Sequence, residues 1–385
     1  MRDPLDDREL TPPPSFQESR STRQKVRAAG LDPDRWYAVE YDREIKKGEI
    51  KEVQFWNLSI ALFRGEDGTL SALQNRCPHR HLKLTHGVVD KCQVRCAYHG
   101  WSFNRDGWLT DYSHDSFGKP LIKSKLRTFP VEVRYGLVWL FPGDPDLASV
   151  RKIPEIPELM TDDPWAGFTV DYTWKTHHSM VIDNICDFAH AFLHRKYQPF
   201  VDAKLTHYEA DEDKVYLTYD TYMAEGKFSK YFVNRKRVNT RSIEICYEYP
   251  YQWSNTGNSI KHWCFLLPID ERTTRVFFIF YFDSVKIPMI PFNAPKWLTQ
   301  QVLNASVPLL FKPLLAEDGV ALEAEQIGYE EHWNAPPIEL NPIVPLLQKL
   351  TVEQWQNFLD RTAAAASKPK SRSEEEKPSE VAEAV

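Results

Sequence analysis

Cys77-Pro78-His79-Arg80-His81 and Cys96-Ala97-Tyr98-His99-Gly100-Trp101-Ser102-Phe103 decide the first half of the fold. The pattern is Cys-x-His, sixteen intervening residues, then Cys-x-x-His. Two short loops that each supply one thiolate and one imidazole can close on a tetrahedral zinc. The same spacing suits a [2Fe-2S] centre in which two thiolates hold one iron and two imidazoles the other, because each loop then serves both irons. Pro78 and the Tyr98-His99-Gly100-Trp101 run favour the second arrangement, as loop-forming and shielding residues that a zinc site leaves unexplained. Replacing two thiolates by neutral imidazoles makes a cluster less negative and raises its potential, so it can accept an electron and pass it on. Cys92, His81 and His86 break the spacing and are expected to be non-ligands. Arg80, Lys83, Lys91 and Arg95 make the loops basic, either as a solvated face or as a docking surface for an acidic electron donor.

Around these loops the chain alternates in short runs. Trp36-Tyr-Ala-Val-Glu40, Lys51-Glu-Val-Gln-Phe-Trp56, Ser59 to Arg64 and Leu70 to Gln74 are separated by turn residues, as in a small all-β domain. Pro142-Gly143 closes this unit, and 144–165 read as a Pro-punctuated linker. Residues 1–35 are polar, turn helical near Thr22 to Gly30, and are expected to form a partly disordered arm. A second region starts with the strand-like Phe168 to Trp174. Further strands follow at Lys214 to Tyr219, Ser242 to Tyr249, His262 to Leu267 and Arg275 to Phe282. The last is apolar on both faces, which suits a central strand between a helix and a ligand cavity. Residues 286–316 read as irregular core packing or a cavity lid. Glu317 to Glu331 and Thr351 to Ala366 look helical, and the polar tail from Ser367 is expected to be disordered. The expected units are an arm (1–35), an all-β cluster domain (36–145), a catalytic domain (146–366) and a tail (367–385).

The second region carries Asn184-Ile-Cys-Asp187-Phe-Ala-His190-Ala-Phe-Leu-His194. Read as a helix, it puts Asp187, His190 and His194 on one face, with Asn184 at its edge. Two imidazoles and a carboxylate among apolar neighbours are costly to bury without a partner, and a metal ion is the simplest one. Histidine pairs with a distant carboxylate and open coordination positions suit a non-heme Fe(II) that activates oxygen. A zinc hydrolase needs a Glu directly after the first His, which is absent here. Asp183 reads as structural. His177 and His178 are expected to face solvent or to shape the site.

Composition bounds the remaining classes. The chain has 385 residues, 42% hydrophobic and 26% charged, with a net charge of −6. That balance is globular, and no segment joins Lys/Arg clusters to interleaved aromatics, which argues against nucleic acid. There is no run of about 18 apolar residues to span a membrane. Six scattered cysteines do not resemble a disulfide framework, so a cytoplasmic location is expected. No Gly-rich dinucleotide fingerprint is visible, so the reductase is expected to be a separate protein.

With both motifs in place, the sequence resembles the α subunit of Rieske non-heme iron oxygenases, the ring-hydroxylating oxygenases. The likeness rests on Cys77/His79 with Cys96/His99 and on Asn184, Asp187, His190 and His194; it anchors residues 36–195 and weakens toward 330. The resemblance implies an α+β chain: an all-β Rieske [2Fe-2S] domain, then a catalytic domain with a curved antiparallel sheet and helices in a helix-grip, START-like arrangement. It implies that Cys77, His79, Cys96 and His99 hold the cluster. His190 and His194 would ligate the mononuclear iron, and Asp187 would bond His190 and, across a subunit boundary, a cluster histidine, expected to be His99. The third iron ligand would be a carboxylate far downstream: Asp318, with Glu317 and Glu323 as competitors. A ferredoxin or flavin reductase, drawing on NAD(P)H, would feed the cluster, and O2 would be the co-substrate. The implied activity is monooxygenation of a hydrophobic or ring-containing substrate by a homotrimer. The alternatives are cis-dihydroxylation and a non-catalytic Rieske electron carrier.

Overall fold

The computed structural model describes residues 11–112, 121–194, 201–222, 241–284 and 294–367. A short helix, α1 (Thr22–Arg27), opens with a capping box: Ser21 accepts from the Gln24 amide, and the Gln24 side chain accepts from the Ser21 amide. Eleven short strands follow: β1 (Tyr37–Tyr41), β2 (Ile50–Phe55), β3 (Leu58–Arg64), β4 (Leu70–Gln74), β5 (Val88–Asp90), β6 (Gln93–Arg95), β7 (Ser102–Asn104), β8 (Leu109–Asp111), β9 (Thr128–Phe129), β10 (Val131–Arg134) and β11 (Leu137–Leu140). They form three antiparallel sheets ordered β1-β11-β10, β2-β3-β4-β9 and β5-β6-β7-β8. Ala61, Phe63, Leu73, Val94 and Phe103 make a compact core into which Cys77 and Cys96 also pack.

The larger unit is a seven-stranded antiparallel sheet. Its strands are β12 (Ala166–Trp174), β13 (Val201–Ala210), β14 (Lys214–Tyr222), β15 (Arg241–Glu248), β16 (Tyr251–Thr256), β17 (Ile260–Asp270) and β18 (Thr273–Phe282). Their order is β12-β18-β17-β16-β15-β14-β13. β18 therefore lies inside the sheet, as its two-sided apolarity requires. Helix α2 (His178–Cys186) follows β12; α3 (Lys296–Ser306), α4 (Lys312–His332) and α5 (Val344–Ser367) follow the sheet. The turn Val307–Phe311, carrying Pro308, joins α3 to α4 as one wide π-type turn.

Side-chain alternation splits the sheet into two working faces. One face meets the N-terminal domain: Phe265 packs edge-on to Trp139 at 4.7 Å, and Phe277 meets Tyr41 at 5.7 Å. Buried Glu40 accepts from Arg275, which also bonds Asp171 at 2.8 Å. At the same boundary Trp56 and Asn57 form the β2–β3 hairpin tip, both left-handed, at φ 45° and 66°. Their amides donate to the carbonyls of Pro268 and Ile269. The opposite face carries the helices.

Four expectations need correction. The 11-residue stretch from Asn184 is not one helix, because α2 ends at Cys186. Asp187 is extended (φ −99°, ψ 100°), and its Oδ1 accepts from the Ala189 amide at 2.8 Å, a local bond that competes with helix continuation. Second, the arm is packed, not loose, from Phe16 onward: Phe16, Val26, Ala29 and Leu31 are buried. Arg27 bonds Ser179 and Asp183 of α2 and Glu325 of α4, while Trp355 of α5 sits against Gly30 so closely that a Cβ there would lie 2.7 Å from its ring. Third, His177 and His178 do not face solvent. Both are buried: His177 caps α2 by accepting from the Ser179 amide, and His178 bonds the Ala29 carbonyl at 2.8 Å. Fourth, the 286–316 stretch is not irregular where it is described: 296–316 run through α3, the π-type turn and the start of α4, while 286–293 and the tail beyond Ser367 lie outside the described residues.

Candidate metal centres

The two cysteine loops of the N-terminal domain are built alike. The Cys77 amide donates to the Leu82 carbonyl, five residues on, and the Cys77 carbonyl accepts from the His81 amide, four residues on. The second loop, joining β6 to β7, repeats this: the Cys96 amide bonds the Trp101 carbonyl, and the Gly100 amide returns to the Cys96 carbonyl. The residue that closes each turn is left-handed, His81 at φ 60° and Gly100 at φ 71°. The thiols lie inward, with Cys77 2% and Cys96 3% exposed, whereas His79 is exposed and His99 half-buried. The His79 and His99 rings lie 4.5 Å apart, and Trp101 stacks flat on His79 at 4.9 Å.

This layering of thiols below and imidazoles above fits a cluster whose inner iron takes sulfur and whose outer iron takes nitrogen. Burial, with Cys96 alongside, pushes the Cys77 thiol up to about 11, so holding it as a thiolate requires a bound cation. His79 is held below its usual value by desolvation and by the charges of His99 and Arg80, which keeps the ring neutral, as a ligand must be.

The second site lies on the helix-bearing face of the sheet. His190, His194 and Asp318 offer ligand atoms that all lie within 4.8 Å of one another. They come from the turns after α2 and from the second turn of α4. Asp318 Oδ1 approaches His194 Nε2 at 3.4 Å and His190 Nε2 at 3.7 Å. That oxygen is buried and accepts no well-formed hydrogen bond among the described residues. A buried carboxylate oxygen facing two imidazole nitrogens is a donor set for a divalent cation, and a two-histidine, one-carboxylate face leaves other positions open.

Glu317 and Glu323 take other roles. Glu317 Oε2 bonds His194 Nδ1 at 3.0 Å, which fixes that ring with Nε2 toward Asp318. Glu323 accepts from the Lys175 amide at 2.9 Å and is committed elsewhere. His190 is held low, first by desolvation, against the raising effect of Asp318. Burial also acts to lower His194, but the nearby Asp318 and Glu317 carboxylates, the latter hydrogen-bonded to the ring, prevail and raise it. Asp187 stands between α2 and His190 and is half-buried; Asn184 lies on the last turn of α2.

Two features here escaped sequence reasoning. One is the orienting role of Glu317, for which its place beside Asp318 was the available signal. The other is Gly319, which lets α4 approach β12: a Cβ at this position would lie 2.3 Å from Trp174 Nε1. Asp183, as expected, is structural; it bonds Arg27 at 2.7 Å and Gln348 at 2.8 Å.

An iron–sulfur domain joined to a two-histidine, one-carboxylate site defines an oxygenase that receives electrons at one centre and uses them at another. Comparison with known proteins narrows this. Residues 35–121 match the Rieske [2Fe-2S] domain, and 174–343 match the vanillate O-demethylase oxygenase C-terminal domain. The chain is 42% identical over 350 residues to the 4beta-methylsterol monooxygenase of Methylococcus capsulatus, spanning 90% of this chain and 95% of that protein. The oxygenase component of dicamba O-demethylase from Stenotrophomonas maltophilia is 29% identical over 170 residues, 42% of this chain and 47% of that protein. Among solved structures, dicamba monooxygenase bound to 3,6-dichlorosalicylic acid superposes with a TM-score of 0.66 at 20% identity, covering 88% of this chain and all of that one. The oxygenase in the carbazole 1,9a-dioxygenase–ferredoxin complex gives 0.61 at 20%, covering 91% and 96%; these two likenesses concern the fold.

The chain belongs to the Rieske non-heme iron oxygenases. It is the terminal oxygenase component of such a system, an oxidoreductase with a Rieske cluster and a mononuclear iron that takes electrons from a ferredoxin or reductase. Among the described residues no helix is long and apolar enough to cross a membrane.

Proposed function

We propose that this oxygenase hydroxylates a methyl or ring carbon of a sterol-like polycyclic substrate. The observation that carries the substrate class is the 42% identity, across nearly the whole of both chains, with a methylsterol monooxygenase. The helix-bearing face of the sheet supports it: Phe168 of β12, Phe278 and Phe280 of β18, and Ile243 and Ile245 of β15 lie on one face spanning five neighbouring strands, a broad apolar floor for a carbon skeleton.

In this reading Cys77, His79, Cys96 and His99 hold the cluster, and His190, His194 and Asp318 hold the iron. When bound, the cluster supplies electrons and the iron activates O2. The chain positions and shields. Glu317 holds the His194 ring, Asp318 supplies the anionic ligand from a rigid helix, and the aromatic floor excludes water from the substrate carbon. Asp187 joins the centres by bonding His190 and the partner subunit's His99, which requires a closed ring, a homotrimer. A cytoplasmic location completes the proposal.

The test begins with iron and acid-labile sulfide analysis and EPR on anaerobically purified protein. About three irons and two sulfides per chain, with a low average g value on reduction, are expected. The loaded enzyme with a surrogate reductase should then add one oxygen to a 4-methylsterol, read by mass spectrometry. Zinc without sulfide overturns the ligand assignment; a fully loaded enzyme inert toward methylsterols overturns the substrate class. A solution mass other than three chains overturns the ring.

A further inference from the structure

Among the described residues the apolar floor is interrupted by a polar trio. Ser254 on β16 and His262 on β17 are direct cross-strand partners, and Gln252 lies two residues before Ser254 on the same face. His262 Nδ1 lies 2.6 Å from Ser254 Oγ, and its Nε2 lies 3.1 Å from Gln252 Oε1. Gln252 and Ser254 are fully buried, yet Gln252 Nε2 has no hydrogen-bond partner among the described residues. Rotating the amide by half a turn only exchanges which atom is left alone. A buried amide atom without a partner is rare and calls for an explanation such as a missing ligand.

Register fixes the direction this trio faces. His262 pairs with Phe280, Phe280 with Phe168, Ser254 with Ile245, and Ile245 with Leu217. On this same face Trp174 abuts α4 beside Asp318, and Tyr219 meets Phe188, whose ring lies 6.4 Å from His190. The trio and the two-histidine, one-carboxylate site therefore lie on the same side of the sheet. His262 keeps solvent-accessible surface, while desolvation pushes it down to about 4. Its ring stays neutral and lies between Phe280 at 5.2 Å and Phe278 at 6.4 Å.

We propose that Gln252, His262 and Ser254 form a recognition point for one uncharged oxygen of the substrate, a hydroxyl or ketone. The relay can present either polarity. With the His262 proton on Nε2, Ser254 donates inward and its oxygen accepts from a substrate hydroxyl. With the proton on Nδ1, the Ser254 hydroxyl is released to donate to a carbonyl. A carboxylate is disfavoured, since no described cation faces the trio. This inference rests on the oxygenase reading, and it adds the polar handle by which an otherwise apolar skeleton is oriented.

The test compares wild type with Gln252→Met and His262→Phe in the loaded enzyme; Met matches Gln in length, and Phe joins the two flanking phenylalanines. An unchanged thermal unfolding midpoint together with full iron content, the mononuclear iron included, confirms folding of the sheet, and either variant that retains both serves. Binding is measured by calorimetry for two matched pairs: a 4-methylsterol and its deoxy hydrocarbon, and a decalin-sized alcohol and its hydrocarbon. Wild type should prefer the alcohol by about tenfold, and the folded variant by less than about twofold, with affinity for the hydrocarbon unchanged. If only the smaller pair behaves so, the trio stands and the sterol assignment falls. Equal binding of alcohol and hydrocarbon by wild type, a preference that survives in the folded variant, or no binding of either alcohol overturns the proposal.

Discussion

Replacing Gly319 by Ala tests how the iron site depends on helix packing. The added Cβ would lie 2.3 Å from Trp174 Nε1, 2.7 Å from Cδ1 and 2.9 Å from Cε2. Ordinary contact lies near ~3.5 Å, so α4 and β12 must separate locally by roughly 1 Å. Overpacking of this kind costs about 1–3 kcal/mol, and Ala recovers about 1 kcal/mol of helix propensity over Gly. The net loss of stability is therefore about 0–2 kcal/mol, small enough for the chain to fold. The proposed iron site is less forgiving. Asp318 is the neighbour of Gly319, and metal–ligand distances tolerate only about ±0.2 Å. Gly319→Ala should leave two irons and two sulfides, the cluster alone, with its EPR signal intact and the mononuclear iron largely lost. The double variant with Trp174→Leu, which removes the opposing ring, should regain much of it. Full iron occupancy in Gly319→Ala at unchanged thermal stability would refute the reasoning, because the carboxylate would then not depend on this close approach.

Glu317→Ala should weaken mononuclear iron binding about 10–100-fold, measured by chelator competition, and leave the cluster unchanged. Asp187→Asn should retain both metals in elemental analysis but lose about 10–100-fold in turnover, through a slower electron step read by single-turnover reoxidation of the cluster. Arg27→Met strands the buried Asp183 carboxylate and should cost about 3–5 kcal/mol in urea unfolding. Stability should also fall on acidification. His178 is pushed down to about 3 and His262 to about 4, both by burial, so the unfolded chain binds these protons first. Their contribution is complete above pH ~6.5 and is lost as pH falls toward 4, at up to ~1.4 kcal/mol per pH unit for each ring. His178→Leu should flatten that slope in denaturant titrations at fixed pH, whatever it does to stability at neutral pH.

What could be read from the chain alone was whatever depends on short spacing. Cys77/His79 and Cys96/His99 are two short-spaced pairs, which singled them out as a candidate ligand set before the fold was known. Lys214 to Tyr219 and Ser242 to Tyr249 alternate as strands with one buried face do, whereas Arg275 to Phe282, apolar on both faces, announced an interior strand, and β18 is one. The helix drawn through His194 failed for a local reason: Asp187 bonds the Ala189 amide and ends α2, an outcome that hydrophobic spacing does not register. His177 and His178 looked polar enough for solvent, but α1 and its following turn cover them, an arrangement set by residues about 150 positions away. The choice among Glu317, Asp318 and Glu323 also waited for the fold. Successive helix positions differ by about 100° in direction, and only packing of α4 against Trp174 through Gly319 decides that Asp318 meets the Nε2 atoms of both histidines while Glu317 reaches His194 Nδ1 alone. Likewise Gln252, Ser254 and His262 are ordinary alternating strand residues until pairing of β16 with β17 brings them together. Local chemistry is written in spacing; convergence from distant segments depends on which faces the core buries, and that is a property of the whole chain.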